Sequence, residues 1–147
     1  MSWTEKKNIF KNCIYLEDSG IEIDGIRFWG SPTNVIEGFN WAFNDKIQER
    51  IDKIPNDTDV LITHGPAKGI LDKLSMRHGG ENIGSQELLE KIKQINPKIH
   101  CFGHIHEEYG AVALSGRTVS INAAMQNDIG EMIIDGKQIR EPWVIEI

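Results

Sequence analysis

A chain of 147 residues is long enough for one domain around a single core, and 39% hydrophobic with 26% charged residues is the balance of a globular protein. A formal net charge of −6 argues against nonspecific binding to nucleic acid or to anionic membranes, because both rest on excess Lys and Arg. No apolar run is long enough to span a bilayer, and Met1 to Lys7 has no apolar stretch of the signal-peptide kind, so a cytoplasmic location is expected.

Residues 1–147 read as one domain without linker, repeat or low-complexity segment. A short helix is expected from near Thr4 to between Asn8 and Asn12. Cys13 to Glu17 reads as a strand. Ile21 to Trp29 reads as two short strands around Asp24-Gly25, a favoured hairpin dipeptide. Asn44 or Asp45 is placed to cap a helix carrying Ile47, Ile51 and Ile54 at helical spacing, which Pro55-Asn56 would stop. Asp59 to Thr63 is a continuous apolar strand of the kind buried on both faces, and it runs straight into His64-Gly65-Pro66.

Ser85 is an N-cap for a helix to Ile95, with Glu87 in its first turn and Leu88, Leu89, Ile92 and Ile95 as its apolar stripe. Asn96-Pro97 closes it. Lys98 to Phe102 is a second buried strand, ending at Gly103-His104-Ile105-His106. Val112 to Ala124 reads as a hairpin turning at Ser115-Gly116. Met132 to Ile134 and Trp143 to Ile147 read as final strands around Asp135-Gly136. This order predicts an α/β fold, with α+β as the other option, built on a mixed sheet with flanking helices. Cys13 and Cys101 each lie in an apolar, strand-like run, which predicts buried free thiols; a disulfide between them stays open from sequence.

Three of the five histidines share one context. His64 follows one buried strand, and His104 and His106 follow another. The carboxyl ends of buried strands are where α/β sheets place their sites. An extended His-x-His segment would project both rings to one side. Two such loops on adjacent strands would converge three imidazoles, and neutral imidazole is a ligand for Zn, Fe, Mn or Ni. His78, in a polar loop, is a candidate substrate contact or a solvated side chain, the second being the commoner fate of a loop residue. His100 lies inside a strand as a hydrogen-bonded packing residue. Trp41 and Phe43 have no interleaved basic residues, which favours packing over base stacking. Asn122 is a candidate to hold a ligand imidazole or simply a turn backbone. Glu107 is placed to orient His106 or to stand in solvent.

Gly103-His104-Ile105-His106-Glu107-Glu108-Tyr109-Gly110 resembles the last signature, Gly-His-x-His, of the calcineurin-like metallophosphoesterases, and Thr63-His64-Gly65-Pro66 resembles the preceding one. Tyr15 to Ser19, Gly30-Ser31-Pro32, Trp41 to Asn44, Gly84 to Leu89, Pro97 to His100 and Ile121-Asn122-Ala123 are similar, in collinear order, to the branch called metallophosphoesterase-domain-containing proteins. The resemblance implies the C-terminal half of a four-layer α/β/β/α sandwich. It implies metal-dependent hydrolysis of a phosphate ester, with His64 and His104 on one divalent ion and His106 on another. Two ions, of Mn, Fe or Zn, occupy the family's complete site. Its Asp-x-His, Gly-Asp-x-x-Asp and Gly-Asn-His signatures have no counterpart in this sequence, so at most one ion is expected here. Thr33 to Asn40 also departs from the family's aromatic- and proline-rich stretch. The readings are thus half of a phosphoesterase whose N-terminal half comes from a second chain or an upstream segment, a non-catalytic remnant that binds one metal or none, or a protein-interaction module using an uncovered sheet face. A homodimer that pairs the open sheet faces is the other expected assembly.

Overall fold

The computed structural model of the chain describes residues 12–32, 47–114, 116–127, 129–134, 137–138 and 140–147. The expected helix near Thr4, the Asn44 and Asp45 caps and the Asp135-Gly136 turn lie outside these residues, as do Trp41 and Phe43.

Asp24 and Gly25 both take positive φ, 50° and 79°, as a two-residue hairpin turn requires. They join β1 (Ser19–Ile23) to β2 (Ile26–Ser31) in antiparallel register. The chain then passes through α1 (Ile47–Asp52), β3 (Val60–Thr63), α2 (Gln86–Ile95), β4 (Ile99–Phe102), β5 (Gly110–Ala113) and β6 (Val119–Asn122). The six strands form one mixed sheet in the order β1-β2-β3-β4-β6-β5. β2, β3, β4 and β6 run parallel in its centre, and β1 and β5 close the edges antiparallel. The fold is α/β with a mixed sheet, as the element order predicts.

Local chemistry sets both ends of α2. The Ser85 hydroxyl accepts the Leu88 N–H at 3.0 Å and donates to Glu87 at 2.7 Å. Asn96, at φ 47°, ends the helix in the left-handed conformation, its N–H bonded to the Ile92 carbonyl. Gly84 precedes this helix because a Cβ there would lie 2.4 Å from the Ala67 carbonyl oxygen. The loop after β3 therefore packs backbone against backbone on the entry to α2.

Side chains alternate across the strands and divide the core into two faces. Leu61 and Phe102 face the helices and pack with Ile51, Ile54, Leu88, Ile92 and Ile95. Val60, Ile99 and Ile121 face the other way, against Ile26, Phe28, Cys101 and Val119. Among the described residues this second cluster consists of strand residues alone.

Four expectations are corrected. β3 is not buried on both faces, since Ile62 on the second face is 40% exposed. Cys13 to Glu17 is not a strand: the Glu17 N–H bonds the Ser19 hydroxyl and Asp18 takes φ 45°, a local turn that an extended segment cannot contain. Cys13 is exposed, and both cysteines are free thiols. At the C-terminus β7 (Ile133–Ile134) pairs with β8 (Lys137–Gln138), while Trp143 to Ile147 has no regular structure. Trp143 instead meets the Tyr109 ring at 5.5 Å. No helix among the described residues is long and apolar enough to cross a membrane.

The two faces predict unequal costs for neighbouring residues of one strand. Leu61→Ala, at a fully buried position, is expected to destabilise by about 2–5 kcal/mol. Ile62→Ala is expected to cost less than about 1 kcal/mol, because much of its surface is already in water. Chemical denaturation of both variants checks this, and equal losses would mean that the second face is covered.

Candidate metal centre

Four parallel strands deliver their carboxyl ends to one rim of the sheet, and the candidate residues stand there. Thr63 ends β3. Its hydroxyl donates to the Gly65 carbonyl at 2.7 Å and so bends the chain around His64. The Gly103 N–H donates to the His64 carbonyl at 3.0 Å, which binds the loop after β4 to the loop after β3. These constraints bring His64 Nε2 to 3.0 Å from His104 Nδ1, with ring centroids 4.8 Å apart and planes at 59°.

The His-x-His segment is not extended, which corrects the expectation that His104 and His106 project alike. His104 adopts φ 71°, and His106 opens a 3-10 turn, His106–Glu108. The His106 ring lies 3.1 Å from the Asn127 carbonyl, which only accepts, so Nδ1 carries the proton and donates. In the neutral ring this leaves Nε2 as the basic nitrogen. Two of the three imidazoles are thus in contact, and the third is held by its own partner. Among the described residues no group of three or more His, Cys, Asp or Glu side chains is gathered as a metal would need.

The remaining candidates sort by their partners. Asn122 is fully buried; its amide donates to the Ile105 carbonyl at 2.7 Å and its oxygen accepts the Ala124 N–H at 3.0 Å. It holds the backbone between His104 and His106 rather than an imidazole. Glu107 does not orient His106. Its carboxylate accepts the Ser75 N–H at 3.1 Å and pairs with His78 Nδ1 at 2.8 Å, which latches the Met76–His78 turn onto the His106 turn. Burial works to raise the Glu107 carboxyl, but the bonds from His78 and Ser75 outweigh it and hold it below the usual range.

Burial lowers the His64 pKa, and it lowers that of His104 to about 4, helped by repulsion from His64 and His106 and opposed by Glu107. Both rings are therefore neutral at pH 7. A metal bound by two nitrogens at about 2.0–2.1 Å, with a bond angle near 90–110°, holds them roughly 2.9–3.4 Å apart. The His64–His104 separation falls in that interval, so the pair fits two positions of one coordination shell.

Two further residues support the rim, Arg140 without any local sequence signal and His100 as the hydrogen-bonded packing residue that its strand position predicts. Arg140 donates to the carbonyls of Ala124, at 2.7 Å, Gln126 and His106, and its guanidinium lies 5.1 Å over the Tyr109 ring. The second is His100, fully buried, whose Nε2 lies 2.9 Å from the Thr63 hydroxyl. That hydroxyl spends its proton on Gly65, so His100 must donate from Nε2 and present a bare Nδ1, which has no partner among the described residues.

His100 gives the domain a pH dependence whose sign is determined. Burial lowers its pKa from 6.5 to about 3. A depressed pKa means that the unfolded state binds more protons between those values, so stability is complete above about pH 6.5 and falls as pH drops toward 3. The expected slope is at most about 1.4 kcal/mol per pH unit for this group. The lowered carboxyls of Asp59 and Glu107 lose their contribution only around and below their ordinary values of 3.8 and 4.5. His64 and His104, lowered in the same way, add to this loss. Urea unfolding at pH 7.5, 6 and 5 should show the loss already above the carboxylate range, and His100→Gln should make it shallower without removing it.

No protein-family model matches the chain. A UPF0046 protein of Caenorhabditis elegans is 42% identical over 122 residues, covering 82% of this chain and 40% of its own length. Metallophosphoesterase domain-containing protein 1 of Homo sapiens is 38% identical over 146 residues, covering 96% of this chain and 42% of its own. One solved structure, 19% identical, shares the fold with a TM-score of 0.55 over 82% of this chain and 49% of that one. The chain spans about two fifths of the length of these curated relatives. Over most of its length it belongs to the metallophosphoesterase-domain-containing branch.

Proposed function

We propose that this chain forms one part of a metal-dependent phosphoesterase, in which His64 and His104 supply two nitrogens to a divalent ion and His106 faces a neighbouring position. The observation that carries the reading is the 3.0 Å approach of His64 Nε2 to His104 Nδ1 at the carboxyl ends of adjacent parallel strands. Family membership supports the chemistry, and the neutrality of both rings leaves no proton for a metal to displace from an imidazolium. A bound divalent ion would neutralise a phosphoryl group and lower the pKa of a bound water. The chain's own residues do the positioning. Thr63 and Gly103 hold the His64 backbone, Asn122 holds Ile105, and Asn127 holds the His106 ring. With a net charge of −6, attraction of a phosphate ester must come from such a local centre, not from the surface at large.

A specific observation favours a second reading. The gathered ligands stop at two among the described residues, and Glu107 is committed to Ser75 and His78. A non-catalytic domain that holds one ion loosely needs nothing more.

Elemental analysis after dialysis against Mn or Zn should find no more than one ion per chain, and His104→Ala should remove it. Two tightly held ions would show the ligand set to be complete. Hydrolysis of aryl phosphate esters by this chain is expected near background. It should rise when the remaining stretch of a relative's chain is supplied, and His104→Ala should abolish the gain. Metal binding without any such gain would leave the second reading.

A further inference from the structure

The row of side chains facing the helices mixes apolar and polar groups, with Leu61 fully buried and Phe102 nearly so. Among these lies His100, with no exposed surface, stacked on Phe102 at 4.8 Å between centroids and 29° between planes. An imidazole is a poor choice for pure packing here. Its Nδ1 is buried without a partner among the described residues, a desolvation cost that an apolar side chain of similar shape would not carry. The other nitrogen makes one bond, to a hydroxyl that is itself bonded across His64 to Gly65.

We infer that His100 is a positioning residue of the His64–His104 pair, acting through Thr63 as a buried relay that fixes the chain at His64. The inference rests on the reading of that pair as a metal centre, but its geometry is independent of the metal. A serine or threonine hydroxyl can rotate among several acceptors. A donor at Nε2 occupies the Thr63 lone pair and turns the hydroxyl proton toward Gly65. The Gly65 carbonyl is then held, and His64, between the two bonded residues, has one orientation open to it. The low pKa of His100, about 3, keeps the donor and the bare nitrogen in these roles across the physiological range. A protonated ring would alter neither bond at Nε2, so the relay depends on the donor and not on charge.

The test reads the histidine rings directly. Two-bond 1H–15N spectra of the full chain at pH 7.5 should show His100 protonated at Nε2. In Thr63→Val, which keeps the shape and removes the hydroxyl, the His64 and His104 ring signals should shift while those of His78 stay. His100→Leu should do the same. His100→Gln, whose amide N–H reaches the place of Nε2–H, should retain the parent His64 and His104 signals. Co2+ titration should show affinity reduced about 10–100-fold in Thr63→Val, and near the parent value in His100→Gln and in the core control Ile92→Val. Unmoved His64 and His104 signals in folded Thr63→Val would overturn the inference, as would His100→Gln behaving like His100→Leu. If the parent chain binds no Co2+, the phosphoesterase reading fails, and the ring spectra still decide whether the relay exists.

Discussion

The parallel pairing of β3 with β4 is the constraint from which the candidate centre follows. Parallel strands leave the sheet at the same end, and this pair is in register through Val60–Ile99, Leu61–His100 and Ile62–Cys101. The next residues of each strand are therefore level, and the Gly103 N–H reaches the His64 carbonyl as though the ladder continued by one more bond. The starts of two loops outside the sheet are placed by this single extension. The contact between the His64 and His104 rings is its consequence.

Precision at that rim comes from polar groups that are taken out of water. Thr63, His100, Ser120 and Asn122 are all buried on the helix side of the sheet. Asn122 spends both ends of its amide on backbone and Thr63 spends its proton on backbone. Ser120 Oγ and His100 Nδ1 have no partner among the described residues. A domain selected for stability alone would fill these positions with aliphatic side chains, as it does at Leu61, which pairs in register with His100. Thr63 and Asn122, at the carboxyl ends of their strands, bond loop backbone that the sheet itself cannot hold.

Legibility followed the range of the interactions. Helix α2 was readable at both ends because Ser85, Glu87, the apolar stripe and Asn96 all act within a few residues of one another. The Asp24-Gly25 hairpin and the passage from apolar strand to His64 or His104 are local in the same sense. The direction of His106 was not, because it depends on a left-handed residue at His104 and on the carbonyl of Asn127. Glu107 sits beside His106 in sequence, yet its partners are Ser75 and His78, about 30 residues away in the chain. Arg140 is further still from the carbonyl of His106 that it binds. A strand was expected at Cys13 to Glu17 because its apolar content resembles one, whereas the segment joins no sheet and the chain turns at Asp18 before β1 begins.

The same geometry sets how strongly a metal would be held. Two neutral imidazoles 3.0 Å apart share one N–H···N bond, so the pair is already satisfied without an ion. A metal must displace that bond, which is worth about 0.5–1.5 kcal/mol net, and must find its remaining donors elsewhere. It also brings positive charge to a place where the nearby carboxylate, Glu107, is engaged with His78 and Ser75. Imidazole nitrogens contribute lone pairs but no charge, and a doubly charged ion in a partly buried site is held firmly only when carboxylates offset it. On the proposed metal reading, a pair with this separation, this neutrality and no free carboxylate among the described residues near it would supply only part of a coordination shell, and an ion there would be loosely held until further oxygen ligands are brought to it.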